Sequence, residues 1–377
     1  MTGAPMSMTE THGRITDEEL ERIRERIGQG FEHRRAWRTE VTRDSAYHLA
    51  FVIGDLNPLY VDEDYAKASI WGRLQAPALM VNAMDTLRSP GSAGLPQGLP
   101  GVHSIWTRSA YTFERPLFVG DAVNEKSSLK ELIEVESGFA GGRAVTQTYE
   151  ARYFDAEGKQ FATREDTWIR SERQKTRDKG KYQDITLARW TKEQIDELFE
   201  RYDDEVRTPG RTFAEVTVGE ELPVVIKGPL TATAEIAFEA FFGSYMVGNK
   251  QAAELHRKHP ALMVTNNQGV PEPPQRVHWD NEFAHDLLGL PGAYDFGLER
   301  CFWLMQGPHN WMGDAAFVSR IDVQYRRFNY LGDVTYTHGR VTAAAVVEGV
   351  GTVDIDVWCE NQRGETTARG TVQVKYP

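Results

Sequence analysis

Four segments recur in the same order in the two halves of this 377-residue chain, and that duplication limits its fold more than any other feature. Each half opens with an amphipathic helix signal, over residues 16–23 and 191–199, in which a Thr N-cap is followed three residues later by a carboxylate or amide. A second helix signal starts at a threonine and ends at a glycine in both halves, over residues 42–54 and 231–243. Next, Tyr60-Val61-Asp62-Glu63-Asp64-Tyr65-Ala66 matches His278-Trp279-Asp280-Asn281-Glu282-Phe283-Ala284. Finally, Phe113-Glu114-Arg115-Pro116 running to Gly120-Asp121 matches Tyr325-Arg326-Arg327-Phe328 running to Gly332-Asp333, without a gap.

After each Gly-Asp the pattern becomes β-rich, with turn signals at residues 155–158 and 361–364 and clear alternation over 352–358. Each half therefore predicts a helix, a lead-in loop, a longer central helix and several antiparallel strands. A lone half would leave a long strand edge unpaired, so the two sheets are expected to pair within the chain. The expected division is an N-terminal domain over 1–172, a linker over 173–190 and a C-terminal domain over 191–377. The linker reading rests on the charged stretch 171–184. Residues 1–14 are polar, without an apolar core, and predict a disordered lead-in rather than a secretory signal.

Composition excludes several classes. A net charge of −12 disfavours sequence-independent nucleic-acid binding. No apolar run approaches the roughly 18 residues needed to span a bilayer, so a cytoplasmic protein without a membrane partner is expected. Cys301 and Cys359 lie in separate apolar segments and predict reduced core thiols. His256 and His259 have no Cys or carboxylate set around them, so no metal is expected.

The first motif copy reads Gly54-Asp55-Leu56-Asn57-Pro58-Leu59-Tyr60. It resembles the signature of the (R)-specific enoyl-CoA hydratase (MaoC-like) family, Gly-Asp-x-Asn-Pro-hydrophobic-His, with Tyr60 where the family has histidine. The second copy keeps His278, but Pro273 stands five residues before it in place of the aspartate. By the helix alignment Ser244 takes that place, followed by an insertion over 245–273 with lid-like composition. The resemblance runs from about residue 31 to 376. It implies an α+β double hot-dog fold, each half an antiparallel sheet wrapped on a central helix.

The resemblance also implies an acyl-thioester hydro-lyase with no cofactor, which would hydrate trans-2-enoyl-CoA or dehydrate (R)-3-hydroxyacyl-CoA. The partner would be an acyl-CoA or acyl carrier protein thioester, and the chain a homodimer or the companion of another MaoC-like subunit. The same fold hosts thioesterases, and a split motif also fits a non-catalytic acyl-CoA-binding subunit.

The chemistry needs a group that moves protons at C2 and at water, and donors for the thioester oxygen as it gains enolate charge. In the first half Tyr60, a phenol with an ordinary pKa near 10, is a poor base, and Ala78 replaces the family's oxyanion glycine. In the second half His278 and Gly297 occupy both family positions. The second half is thus expected to be active, with His278 as base and acid, Gly297 N–H on the thioester oxygen, and Asp295 or Glu272 as the assisting carboxylate. Asp55 remains a catalytic candidate, although residues 54–60 are expected mainly to shape the substrate tunnel. Asn57, Tyr60, Tyr294, Arg276 and Arg327 are candidate substrate contacts, the arginines (with Arg326) facing CoA phosphates. Alternatively, Arg115 and Arg327 pair with Asp121 and Asp333. Asp62 and Asp280 are expected to be N-caps. Residues 302–305, 311 and 312 form an expected apolar wall.

Overall fold

Among the described residues, nine antiparallel strands join the two halves in one sheet. The computed structural model describes residues 13–30, 36–85, 98–99, 102–136, 143–172, 185–243, 248–258, 260 and 263–377. The lead-in up to residue 12, linker residues 173–184 and Ser244 lie outside the described residues. In chain order the strands are β1 His103–Phe113, β2 Asn124–Val135, β3 Ala144–Phe154, β4 Gln160–Ser171, β5 Val225–Lys227, β6 Phe317–Tyr325, β7 Thr335–Val347, β8 Val350–Asn361 and β9 Thr366–Tyr376. Their order across the sheet is β2-β3-β4-β1-β6-β9-β8-β7-β5. The halves meet where β1 pairs with β6, from Thr112 opposite Arg320 to Arg108 opposite Gln324. Arg108 fastens that seam by donating to both oxygens of Asp322, at 2.9 and 2.7 Å. The strand edge that each half would expose alone is thereby paired, as the duplication predicts.

The repeated helices carry repeated caps. α1 (Asp17–Arg24) starts at Thr16, whose side chain accepts from the Glu19 amide. Its counterpart α5 (Lys192–Glu200) has a full capping box between Thr191 and Gln194. α2 (Arg43–Ile53) and α6 (Ala232–Phe242) both begin at a capping threonine, Thr42 and Thr231, and both end at a left-handed glycine. Gly54 (φ 63°) and Gly243 (φ 78°) occupy a conformation that costs other residues energy. After α2 come two short helices, α3 (Pro58–Val61) and α4 (Glu63–Ala68). The second half adds α7 (Asn249–Lys258) and α8 (Asn281–Leu288). Asp62 and Asp280 cap α4 and α8, accepting from the Tyr65 and Phe283 amides at 3.0 and 2.9 Å.

The central helices are unequal. In the second half α9 (Gly297–Trp311) runs four turns, with Leu298 through Trp311 all buried. Its first-half counterpart, among the described residues, is a 3-10 segment, Ala78–Met84. A longer helix in each half was expected, and the described residues correct that expectation for the first. One apolar cluster includes Leu49, Met80 and Tyr111 from the first half with Phe238, Phe302, Ile321 and Val372 from the second. Phe302, Trp303, Leu304, Met305, Trp311 and Met312 belong to this cluster, so they build the shared core rather than a free-standing wall.

Candidate active site

The first-half motif loop is held by its own backbone chemistry. Asn57 caps α3 by accepting from the Leu59 amide at 3.0 Å, and Pro58 supplies a first helical position that needs no N–H. Asp55 Oδ1 accepts from the Asn57 amide at 3.3 Å. These bonds turn the second carboxylate oxygen and the Tyr60 ring toward the C-terminal end of α9. There Tyr60 Oη lies 3.2 Å from His309 Nδ1, and Asp55 Oδ2 lies 3.7 Å from the same nitrogen. The aspartate of the first half thus meets a histidine of the second, but the histidine is His309 and not His278.

Burial, reinforced by the Asp55 charge, drives the Tyr60 phenol well above its usual range, so it stays protonated and able to donate to an unprotonated His309 Nδ1. The Asp55 and His309 side chains keep 7% and 8% of their surface, so the pair is nearly but not fully sealed. Around it lies a polar belt. Lys227 on β5 donates to the Ile53 and Gly54 carbonyls at 3.0 and 3.1 Å and to Gln306 Oε1. Glu205 Oε1 accepts from Gln306 at 2.7 Å and from Asn310 at 2.6 Å.

The second motif copy is arranged differently. The Gln275-Arg276-Val277-His278 stretch forms a 3-10 turn, Pro274–His278, that leads into α8. His278 Nδ1 is 2.7 Å from the Tyr294 carbonyl, and its ring stacks on Phe296 at 3.7 Å between centroids and meets Tyr294 edge-on at 4.7 Å. Burial lowers its pKa to about 4, so it is neutral, with Nδ1–H donating to the carbonyl and Nε2 carrying the lone pair.

The carboxylates expected to assist it are engaged elsewhere. Asp295 is fully buried in a two-pronged ion pair with Arg300 (2.6 and 2.7 Å) and also accepts from Asn329 at 2.8 Å. Arg300 in turn ties down the Arg327 and Thr367 carbonyls. This geometry makes Asp295 a brace between α9 and the strands, against the expected catalytic role. Glu272 accepts from Arg276 and Asn266, both at 2.6 Å.

The arginines expected to face CoA phosphates are also paired within the protein. Arg276 spans Glu272 and Asp280, Arg327 donates to Glu365 at 2.8 Å, and Arg326 donates to Gln324. Arg115 does pair with Asp121, whereas Asp333 takes Arg363 instead of Arg327. Tyr294 packs on Phe328 at 4.4 Å. Gly297 is the first residue of α9, and a Cβ there would lie 3.3 Å from the Tyr325 ring. Close packing therefore already favours a glycine at that position.

Two groups of this region were not anticipated from sequence. The first is His309, whose signal was a polar trio, Gln306, His309 and Asn310, just after the apolar run 301–305 of α9. The second is a pair of buried carboxyl groups, Glu235 of α6 and Glu299 of α9, beside the start of α9. Burial pushes the Glu299 pKa to about 8 and raises that of Glu235 well above the carboxylate range. Glu299 also caps α9, accepting from the Phe296 amide at 3.2 Å. Among the described residues no cluster of His, Cys, Asp and Glu could hold a metal ion, and no helix is long and apolar enough to cross a membrane.

Comparison with known proteins agrees with this architecture. Residues 26–164 match the family model of the FAS1-like dehydratase domain region. No curated protein sequence matches. A solved structure described as a MaoC-like dehydratase covers 94% of this chain and 100% of its own, at 16% identity and a TM-score of 0.67. A putative MaoC domain dehydratase from Chloroflexus aurantiacus J-10-fl covers 93% and 95%, at 10% identity and 0.59. A Mycobacterium tuberculosis protein described as having a double hotdog fold covers 92% and 96%, at 13% identity and 0.56. The chain has a double hot-dog fold like that of these structures, and its residues 26–164 are similar to the FAS1-like dehydratase domain region.

Proposed function

We propose that the protein is an acyl-thioester hydro-lyase whose acid–base centre is Asp55, Tyr60 and His309, built across the two halves. The observation that carries this reading is the meeting of the Asp55 carboxylate and the Tyr60 hydroxyl at one nitrogen of His309. In hydration of a trans-2-enoyl thioester, His309 takes a proton from water, directly or through the Tyr60 hydroxyl, as the water oxygen bonds to C3. The imidazolium so formed is stabilised by Asp55, and C2 receives a proton from the same centre. The enolate oxygen formed between these steps needs a donor. The first amides of the 3-10 segment Ala78–Met84, which lack helical partners, are the candidates in this half. Dehydration of a 3-hydroxyacyl thioester is the reverse. The R configuration, and the choice between CoA and an acyl carrier protein, are carried over from the resemblance. The same holds for pairing with a second copy or another MaoC-like subunit.

A second reading puts the base at His278, favoured by its neutral ring, the Nδ1–H fixed on the Tyr294 carbonyl and the nearby start of α9 at Gly297. One experiment separates the two. Loss of the enoyl absorbance of crotonyl-CoA and longer enoyl-CoAs is followed for the wild type, His309→Ala and His278→Ala. The leading reading expects turnover that collapses only in His309→Ala. Collapse only in His278→Ala moves the chemistry to the second half. Release of free thiol without hydration assigns a thioesterase. Tight acyl-CoA binding without turnover assigns a binding subunit.

A further inference from the structure

We propose that Lys227 is the positioning residue that locks the Asp55 loop onto the His309 helix, a role that rests on the hydro-lyase reading above. The ammonium lies in the second half, on the short edge strand β5, yet two of its three bonds go to the first half. It donates to the carbonyls of Ile53 and Gly54, the last residue of α2 and its left-handed cap. Helix C-terminal carbonyls have no partner within their own helix and carry partial negative charge, so a lysine there satisfies two acceptors at once. Gly54 immediately precedes Asp55, whose own amide bonds back to the Ala50 carbonyl. The third bond goes to Gln306 Oε1 on α9, three residues and just under one turn before His309. One half-buried cation thus ties the backbone that carries Asp55 to the helix that carries His309.

The belt continues beyond it. Gln306 passes its amide to Glu205, which also accepts from Asn310, so the residues flanking His309 on α9 are held from both sides. Asp55 and Glu205 are the principal negative charges acting on Lys227, while burial acts against its protonation. Loss of the ammonium would leave two helix-end carbonyls and Gln306 unsatisfied. The Asp55-to-His309 approach of 3.7 Å would lose a charged tie that helps hold the loop against α9. Lys227 touches no reacting atom in this scheme and acts through Asp55 and His309.

The test compares Lys227→Met and Lys227→Ala with the wild type in full-length protein. The expected result for Lys227→Met is a fall in kcat for enoyl-CoA hydration of about tenfold or more with KM within about twofold, since displacements near 1 Å suffice for such losses. Amide hydrogen exchange should speed up at Asp55 and leave strand β8 unchanged, and n-propylammonium should restore part of the kcat of Lys227→Ala. If either variant fails to fold, Gln306→Met removes one anchor and should give the same pattern at smaller size. Wild-type kcat and wild-type exchange at Asp55 in Lys227→Met overturn the proposal, as does a kcat loss that tracks global unfolding. If the wild type hydrates no enoyl thioester, the hydro-lyase reading fails separately, and exchange at Asp55 still decides whether Lys227 holds the loop.

Discussion

The two motif loops have lost opposite parts of the same set. The first keeps Asp55 and Asn57, has Tyr60 in place of histidine, and receives His309 from the central helix of the other half. The second keeps His278, but its nearby carboxylates are taken. Asp295 braces Arg300, Glu272 is held by Arg276, and Glu299 caps α9 at the Phe296 amide. A carboxylate that is fully paired with a guanidinium has little proton chemistry left to offer, whereas one that faces an imidazole does. What distinguishes the halves is therefore which acidic groups are still uncommitted, and motif letters alone do not report that.

The sharpest way to break the comparison is His309→Gln, which should cut hydration by about 10²- to 10⁴-fold, while His278→Gln changes it less than about tenfold. Steady-state rates on one enoyl-CoA series decide the point, and a reversal would make the second half the active one. Next in size is the contrast between two aspartates. Asp295→Ala strands Arg300 in the core and should cost about 3–5 kcal/mol in urea unfolding. Asp55→Asn should cost about 1 kcal/mol or less, yet lose most activity. Equal stability losses would mean that Asp55 is a structural carboxylate too.

The pH dependence of stability separates two buried groups of the second half. Glu299 has a folded pKa of about 8 against an ordinary carboxyl value of 4.5, so between those values the folded state holds the extra proton. Its contribution is present below 4.5 and falls as pH rises to about 8, and Glu299→Gln should flatten that slope. His278 has a folded pKa of about 4 against 6.5, so there the unfolded state binds more protons. Stability should fall as pH drops from 6.5 to 4, and His278→Gln should remove that loss. Denaturant midpoints across pH 4–9 test both signs. The smallest effect expected is for Gly297→Ala, about 1 kcal/mol or less, because the new Cβ meets only the Tyr325 ring at 3.3 Å. A large rate loss with that small stability change would instead put a substrate oxygen at the start of α9.

Local signals in the sequence carried far. Thr42 with Gly54 and Thr231 with Gly243 are caps defined by side-chain and φ requirements within one turn, so they are readable without a partner. The N-caps Asp62 and Asp280 are of the same kind. The ion pairs were less legible. Asp333 was expected to pair with Arg327 a few residues away, and took Arg363 from the next hairpin. Asp295 was a candidate assisting carboxylate by analogy with hot-dog dehydratases that take their acid from the central helix, and Arg300, five residues on, bonds both of its oxygens. His309 and Lys227 were not picked out, because each finds its partners across the seam between the halves.

By itself the sequence determined the duplication, the caps and the β-rich second part of each half, because these depend on residues within a few positions of one another. The double hot-dog arrangement was implied by the family resemblance, and the need to pair the strand edges gave it a physical reason. Only the tertiary structure decided which acid meets which base. Asp55 and His309 are far apart in the chain, and the 3.7 Å between them is produced by pairing β1 with β6 and by packing α9 beneath both halves. A motif records which residues a chain owns, and burial and partnering then determine which of them remain free to react.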